Sequence, residues 1–470
     1  MTNKNITHQE EQKDLLNHFL EVHCFNAWRI KPSIRDTMKE KPYVNSIEMM
    51  VSPVCNTACS YCYMKNYSKK LYSCGYEKDI LLKNCEKTMK WLVKNDFYPE
   101  SIEIFSGEFF NLPYWKDYLN IILDNLKKMP EGYNIDVIIP TNATFIFSKE
   151  KTQEIQKIIN QWEEEGYGLW LSISVDGKYL DNDTRPLKNG KKYDDNFYDR
   201  LFKFCAKNNL GFHPMIGAKG IDKWEDNFDW YVENIQKYFN LSKKEALRRI
   251  YLLEVRNPDW KTEELKKLQK FLNHIIDVIL EGEEHSSPEE KFKYIKTYSL
   301  NILSSLHCTV GRGLGCSFQQ CFDLRMGDLA LVQCHRTAYR ELLGGYCKFS
   351  DEGDLTLEPL NVNSYILSNS FDFKHAAKCQ DCPINMFCAG PCIGCNYEVN
   401  KDLYTMVPTV CDLEYVKYST LVERMEKEGI LNIIIRDLEY AEYGDIARRK
   451  IQLENFKEYL KIKEIQEEIK

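Results

Sequence analysis

The chain reads as an α/β protein built around a parallel sheet. Three observations carry that reading: short apolar runs, longer amphipathic runs between them, and turn residues where each apolar run stops. The strand-like runs are SIEMMV (46–51), SIEIFS (101–106), IDVIIP (135–140), LWLSISVD (169–176), LGFHPMIG (210–217) and RIYLLEVR (249–256). Helix-period segments fall between them at roughly 78–95, 114–129, 148–165, 195–209 and 224–238. Such alternation marks βα units, whose crossover helices make successive strands parallel. A barrel of six units and a doubly wound sheet both satisfy the pattern, and periodicity alone does not separate them.

Composition sets the outer limits. The 470 residues leave room for two or three domains, and 43% hydrophobic with 13% aromatic content supports a large core. A net charge of −7 disfavours general attraction to nucleic acid. No apolar run approaches the length of a membrane span, and the polar start MTNKNITHQEEQKD lacks the apolar core of a signal peptide. The 18 cysteines therefore read as metal or redox residues of a cytoplasmic protein rather than as a disulfide framework.

The first strand-like run feeds VSPVCNTACSYCYMKN, in which Cys55, Cys59 and Cys62 form a Cys-x3-Cys-x2-Cys loop. Three thiolates on one loop can hold three corners of a four-iron cluster and leave the fourth iron open to a small molecule. A zinc knuckle is the alternative, but structural zinc takes four ligands and this loop offers three. The spacing resembles that of the radical S-adenosylmethionine (SAM) superfamily. The resemblance implies an open (β/α)6 barrel, SAM chelated by the open iron, and reductive cleavage to a 5′-deoxyadenosyl radical. In such barrels the site lies at the C-terminal strand ends, where the cysteine loop and the next motifs fall.

Further residues match the family's SAM contacts. The second run ends in SIEIFSGEFF, which resembles the Gly-Gly-Glu-Pro motif with Ser106 and Phe109 replacing the first Gly and the Pro. Gly107 and Glu108 are retained, so the resemblance gives Glu108 the SAM ammonium group. LSISVDG resembles a Ser-Leu-Asp-Gly segment and makes Ser174 a ribose contact; Asp176 is expected to cap a turn or helix. Arg185, nine residues beyond Asp176, falls where relatives use an arginine against the SAM carboxylate, a pairing suited to two parallel hydrogen bonds. Asn142, in PTNAT, is expected to line the same pocket, and Tyr61 to pack near the adenine.

The second array is C-terminal. Cys379, Cys382, Cys388 and Cys392 form CQDCPINMFCAGPC, Cys411 follows, and Cys316, Cys321 and Cys334 precede. The spacing resembles the SPASM domain, which holds two auxiliary clusters. By that pattern Cys316, Cys321, Cys334 and Cys392 bind the first, and Cys379, Cys382, Cys388 and Cys411 the second. Three [4Fe–4S] clusters and SAM are the cofactors implied, with two zinc sites as the alternative. Leu329 stands at a hairpin turn where the family has glycine, and Cys395 is the one other thiol placed to substitute as a ligand.

The expected organisation is a helical extension (1–44), the barrel (45–257), a charged helical connector (258–307), the SPASM domain (308–415) and C-terminal helices (416–470) that pack against the barrel. The resemblance implies hydrogen-atom abstraction from a peptide or protein side chain, leading to a thioether or carbon–carbon crosslink. Formylglycine formation on a sulfatase, oxidation of a small-molecule alcohol, and a non-catalytic iron–sulfur or zinc protein are the alternatives. In the sulfatase-maturing subgroup an aspartate follows the matching auxiliary cysteine and acts as base; here His335 stands in QCHRTAYR. Other polar candidates are His213, Glu254, Arg256 and Asp323. The expected partners are a peptide or protein substrate and an electron donor such as flavodoxin or ferredoxin, with no nucleic acid and no membrane. About 45 residues precede the first strand-like run, so recognition of a leader peptide is expected on another surface or a separate protein.

Overall fold

The computed structural model describes residues 7–20, 46–66, 77–95, 99, 101–130, 135–298, 321–370, 379, 382, 384 and 392–433. The elements begin with helix α1 (His8–Leu20), strand β1 (Ser46–Ser52), α2 (Lys78–Lys94), β2 (Ser101–Ser106), α3 (Trp115–Leu126), β3 (Asp136–Thr141) and α4 (Lys149–Glu164). There follow β4 (Leu169–Ile173), α5 (Asp195–Lys207), β5 (Met215–Ile216), α6 (Trp224–Phe239), β6 (Leu253–Glu254), α7 (Thr262–Leu280) and α8 (Pro288–Tyr298). The last are β7 (Cys321–Arg325), β8 (Ala330–Val332), β9 (Gly345–Phe349), β10 (Leu355–Pro359), α9 (Val362–Ser370), α10 (Ile393–Asn400) and α11 (Pro408–Lys427). The expected βα alternation is present, with strands β1 and β2 at the predicted positions.

The chain divides into two compact units. One gathers Met1–Asn56, Cys62–Ser172 and Ser317–Phe371; the other gathers Thr57–Tyr61, Ile173–Cys316 and Asp372–Lys470. The first is organised by a sheet in the order β10-β9-β8-β7-β1-β2-β3-β4. β1 runs parallel to β2 on one side and to β7 on the other, while β7 to β10 form an antiparallel meander. A central parallel strand is covered on both faces, and six of the seven β1 residues are buried.

Period-2 alternation fixes what each β1 face meets. Met49 points to α3, whose Tyr118 hydroxyl lies 3.5 Å from its sulfur. Glu48 therefore projects to the opposite face. Helix α2 presents Leu81, Cys85, Met89 and Leu92, a helical stripe that is completely buried. Each large apolar side chain removed from water in this way stabilises the unit by about 1.5–3 kcal/mol.

In the second unit the fifth and sixth strand-like runs pair more briefly than their apolar lengths suggest. Ile173 bridges Phe212, and Phe212 bridges Ile250, both in parallel; β5 then pairs with β6 over Met215↔Leu253 and Ile216↔Glu254. Pro214 breaks the fifth run because it has no N–H for a ladder. The connector is helical as expected, in α7 and α8. Helix α11 starts at Pro408, ahead of the expected start at 416, and proline at the first turn lacks only an N–H the helix leaves unpaired anyway. It packs both on α7, where Arg424 meets Asp277 at 2.6 Å, and on the end of β6. Among the described residues no helix is long and apolar enough to cross a membrane.

Candidate functional site

In the first unit, the end of β2 receives the start of the cysteine loop. Gly107 N–H donates to Ser52 O at 2.6 Å, Glu108 N–H to Val54 O at 2.9 Å, and Ser106 Oγ to Ser52 O at 2.9 Å. The approach is close enough to require glycine. A Cβ at position 107 would lie 2.5 Å from Val54 O and 2.6 Å from Pro53 O.

Glu108 is 1% exposed, and its carboxylate is held from two sides. Oε1 accepts from Thr141 Oγ1 at 2.8 Å and from Phe110 N at 3.3 Å; Oε2 accepts from Asn142 N at 2.7 Å. These bonds orient the carboxylate. Asn142 also reaches the cysteine loop. Its Nδ2 lies 3.6 Å from Cys55 Sγ and 2.8 Å from Asn56 Oδ1.

Tyr61, Ser174 and Arg185 belong to the second unit. The Tyr61 hydroxyl meets both Asp176 oxygens at 2.9 and 2.8 Å and accepts from Arg185 Nη1 at 2.8 Å. Asp176 was expected to cap a turn or helix; it is instead a buried hub. It also accepts from Thr184 Oγ1 at 2.7 Å and Met215 N at 3.1 Å. Arg185 is 3.8 Å from Asp176 and 4.0 Å from Asp181, so its charge is offset inside the unit. Ser174 is half-buried just past β4. The Cys59 sulfur lies 3.4 Å from Thr57 Oγ1.

His335, back in the first unit, occupies a row of carboxyl groups. Glu48, Glu103 and Asp323 stand in register on β1, β2 and β7. His335 Nδ1 lies 2.7 Å from Glu48 Oε1, and its ring stacks on Phe105 at 4.2 Å and Tyr63 at 5.4 Å. Burial opposes the imidazolium, but the Glu48 charge and hydrogen bond, with Glu103 behind, outweigh it and raise the His335 pKa. Burial and the Glu48 charge push Glu103 up to about 7, against His335, and push Asp323 well above the carboxylate range. The Glu48 contact at Nδ1 orients the ring. Glu48 and Glu103 are missing from the sequence reading. Each is the third residue of its strand-like run, and a carboxylate inside a buried parallel strand is the signal that could have found them.

The remaining polar candidates serve the second unit. Glu254 pairs with Lys417 at 3.0 Å, Lys417 with Glu414 at 2.7 Å, and Glu414 with Arg256 at 2.8 Å. These alternating charges are committed to holding α11 on β6. His213 is held neutral by burial and by Arg185, with its pKa lowered to about 4.

Of the C-terminal array, Cys379 and Cys382 are electrostatic neighbours of Cys411. Burial pushes the Cys411 thiol up to about 11, and neighbouring Cys379 and Cys382 push the same way. Cys392 caps α10; Cys321 opens β7; Cys334 follows β8 and accepts from Arg336 N at 3.3 Å. Cys316 and Cys388 lie outside the described residues. Cys395 is buried against Val407 and Val410. Leu329 adopts φ +56°, the left-handed conformation that glycine takes without strain.

The residues present suit an iron–sulfur cluster with SAM. Cys55, Cys59 and Cys62 form no disulfide, the Asn142 side-chain N–H faces the Cys55 sulfur, and the Asn142 backbone N–H holds the Glu108 carboxylate. Among the described residues no three Cys, His, Asp or Glu side chains converge on a point suited to a single metal ion. A four-iron cluster spreads its thiolates over separate corners and does not need that convergence.

No family model matches the chain. Radical SAM cyclopropyl synthase TigE of Paramaledivibacter caminithermalis is 22% identical over 434 residues, covering 88% of this chain and 83% of the relative. The fold is similar to that of anSMEcpe solved with bound AdoMet, at a TM-score of 0.57 and 16% identity over 83% of this chain and 99% of the other. The same protein solved with bound AdoMet and the Kp18Cys peptide gives a TM-score of 0.53 at 16% identity, over 81% of this chain and 99% of the other.

Proposed function

We propose that the chain is a radical SAM enzyme that abstracts a hydrogen atom from a peptide or protein side chain to form a new covalent bond. The observation that carries the proposal is the Ser52–Val54 segment leading into Cys55, seated by Gly107 on the end of β2, with the Glu108 carboxylate oriented by Thr141 and Asn142. A four-iron cluster with bound SAM supplies, when present, the electron for reductive cleavage and a 5′-deoxyadenosyl radical. Cys55, Cys59 and Cys62 would hold that cluster. Glu108 would take the SAM ammonium group, Ser174 the ribose and Arg185 the carboxylate. Ser106, Gly107, Asn142 and Tyr61 would supply further SAM contacts.

A carbon–carbon bond is favoured over a thioether because the relative is named a cyclopropyl synthase. Either product is two hydrogens lighter than its substrate. One hydrogen atom leaves to the 5′-deoxyadenosyl radical; a proton and an electron leave separately. We assign the proton to His335, held by Glu48, and the electron to an acceptor at the C-terminal thiols. Those thiols would bind two auxiliary clusters, with Cys316, Cys321, Cys334 and Cys392 at one and Cys379, Cys382, Cys388 and Cys411 at the other. A peptide partner is supported by the peptide bound to anSMEcpe.

The test is anaerobic coexpression with a short precursor encoded beside the chain, followed by mass spectrometry. A loss of two hydrogens, with fragment ions locating a ring or crosslink, supports the reading. A formylglycine residue would replace it with sulfatase maturation. Absence of SAM-dependent 5′-deoxyadenosine formation would refute the radical chemistry itself.

A further inference from the structure

Strand β3 ends in the turn Thr141-Asn142-Ala143-Thr144, and Asn142 is 4% exposed. Its amide orientation is fixed by its neighbours. The Thr144 backbone N–H can only donate, and it lies 3.0 Å from Asn142 Oδ1. Thr144 Oγ1 donates to the same oxygen at 2.7 Å and accepts from Asn56 Nδ2 at 2.8 Å. Nδ2 is thereby left facing Asn56 Oδ1 at 2.8 Å and Cys55 Sγ at 3.6 Å. Every polar atom in this ring plays one consistent role. Ala143 is held at φ +56°, a conformation that L-residues avoid, so the turn keeps its shape against local preference. The Asn142 backbone N–H meanwhile donates to Glu108 at 2.7 Å, so one residue is tied to both the carboxylate and the cysteine loop.

We propose that Asn142 is a positioning residue for the N-terminal cluster, donating a side-chain N–H to the Cys55 sulfur and so making the cluster easier to reduce. The inference rests on the reading that Cys55, Cys59 and Cys62 hold that cluster. Reduction adds negative charge that spreads onto the thiolate sulfurs, and a donor aimed at sulfur stabilises the more negative state. The same contact fixes the Cys55 rotamer at the entry to the loop. The donor sits in a nearly dry pocket, where the electrostatic effect of a hydrogen bond exceeds its value in water.

The test uses the anaerobically reconstituted holoenzyme. The reduced-state EPR signal that changes on adding SAM reports the open cluster, and it is titrated against potential. Asn142→Leu removes the donor; Asn142→Asp keeps the shape, removes the donor and adds an anion. With iron per chain unchanged, Asn142→Leu is expected to lower the ratio of reduced to oxidised cluster about tenfold at the wild-type midpoint. For a one-electron couple that is a shift of about 59 mV. Asn142→Asp should fall further. A wild-type midpoint in either loaded variant overturns the proposal, and loss of the cluster from both overturns it in favour of a purely structural residue. A wild-type enzyme with no SAM-sensitive signal would instead overturn the cluster assignment on which it rests.

Discussion

Replacing Gly107 by alanine probes the seat of the cysteine loop directly. The added Cβ meets three backbone atoms, Val54 O at 2.5 Å, Pro53 O at 2.6 Å and Val54 C at 2.7 Å, none of which can swing aside as a side chain end would. Relief to ordinary contact at 3.4 Å requires Val54 O to retreat by about 0.9 Å. Overpacking of this kind costs about 1–3 kcal/mol. Weakening the Gly107 and Glu108 N–H bonds to Ser52 and Val54 adds about 1 kcal/mol each. The combined cost of about 3 kcal/mol or more lowers the population of the seated loop by two orders of magnitude. A misplacement near 1 Å also costs about a hundredfold in rate. Iron per chain and SAM-dependent 5′-deoxyadenosine formation are the readouts. Gly217→Ala, whose Cβ meets nothing closer than 3.6 Å, is the control. Wild-type iron loading and turnover in Gly107→Ala would refute the argument that the close approach seats the loop.

Three further outcomes are expected. His335→Gln should reduce product formation by about 10²–10⁴-fold while 5′-deoxyadenosine still forms; unchanged product yield removes His335 as the base. Cys411→Ser should lose about four of about twelve irons per chain, whereas Cys395→Ser, buried among valines, should retain them all, as checked by iron analysis. At Glu414, burial raises the carboxyl but Arg256 and Lys417 outweigh it and hold it down to about 2. Its folded pKa is depressed, so its stabilisation is present above its unfolded value of about 4.3 and is lost as pH falls towards about 2. Glu414→Gln should flatten that part of the denaturation profile, and Lys417→Met, which removes the cation paired with the buried Glu254, should cost about 3–5 kcal/mol in urea unfolding.

Strands β1 to β4 and their helices are legible because apolar period and turn residues agree at every boundary. The cysteine loop is legible because ligand spacing is local. Contacts made across the sheet are less so. β7, only CFDLR, carries both an Asp and an Arg, and nothing local shows that it pairs with β1. Glu48 and Glu103 look like faults in two apolar runs until strand register sets them side by side near His335. Asp176 reads as a turn residue because its partners Tyr61, Thr184 and Met215 are supplied by the fold.

Cys411, Glu414 and Lys417 recur at intervals of three along α11, on one side of the helix. That helix therefore carries a candidate metal ligand and the two charges that grip Glu254 and Arg256 at the end of β6. Ligand thiols must be deprotonated and gathered before they bind, so under the proposed ligation metal affinity and local folding free energy would be one quantity. Loading the C-terminal thiols and clamping the sixth strand would then be two readings of a single assembly equilibrium. Chelation should loosen the Arg256–Glu414 clamp without touching either residue.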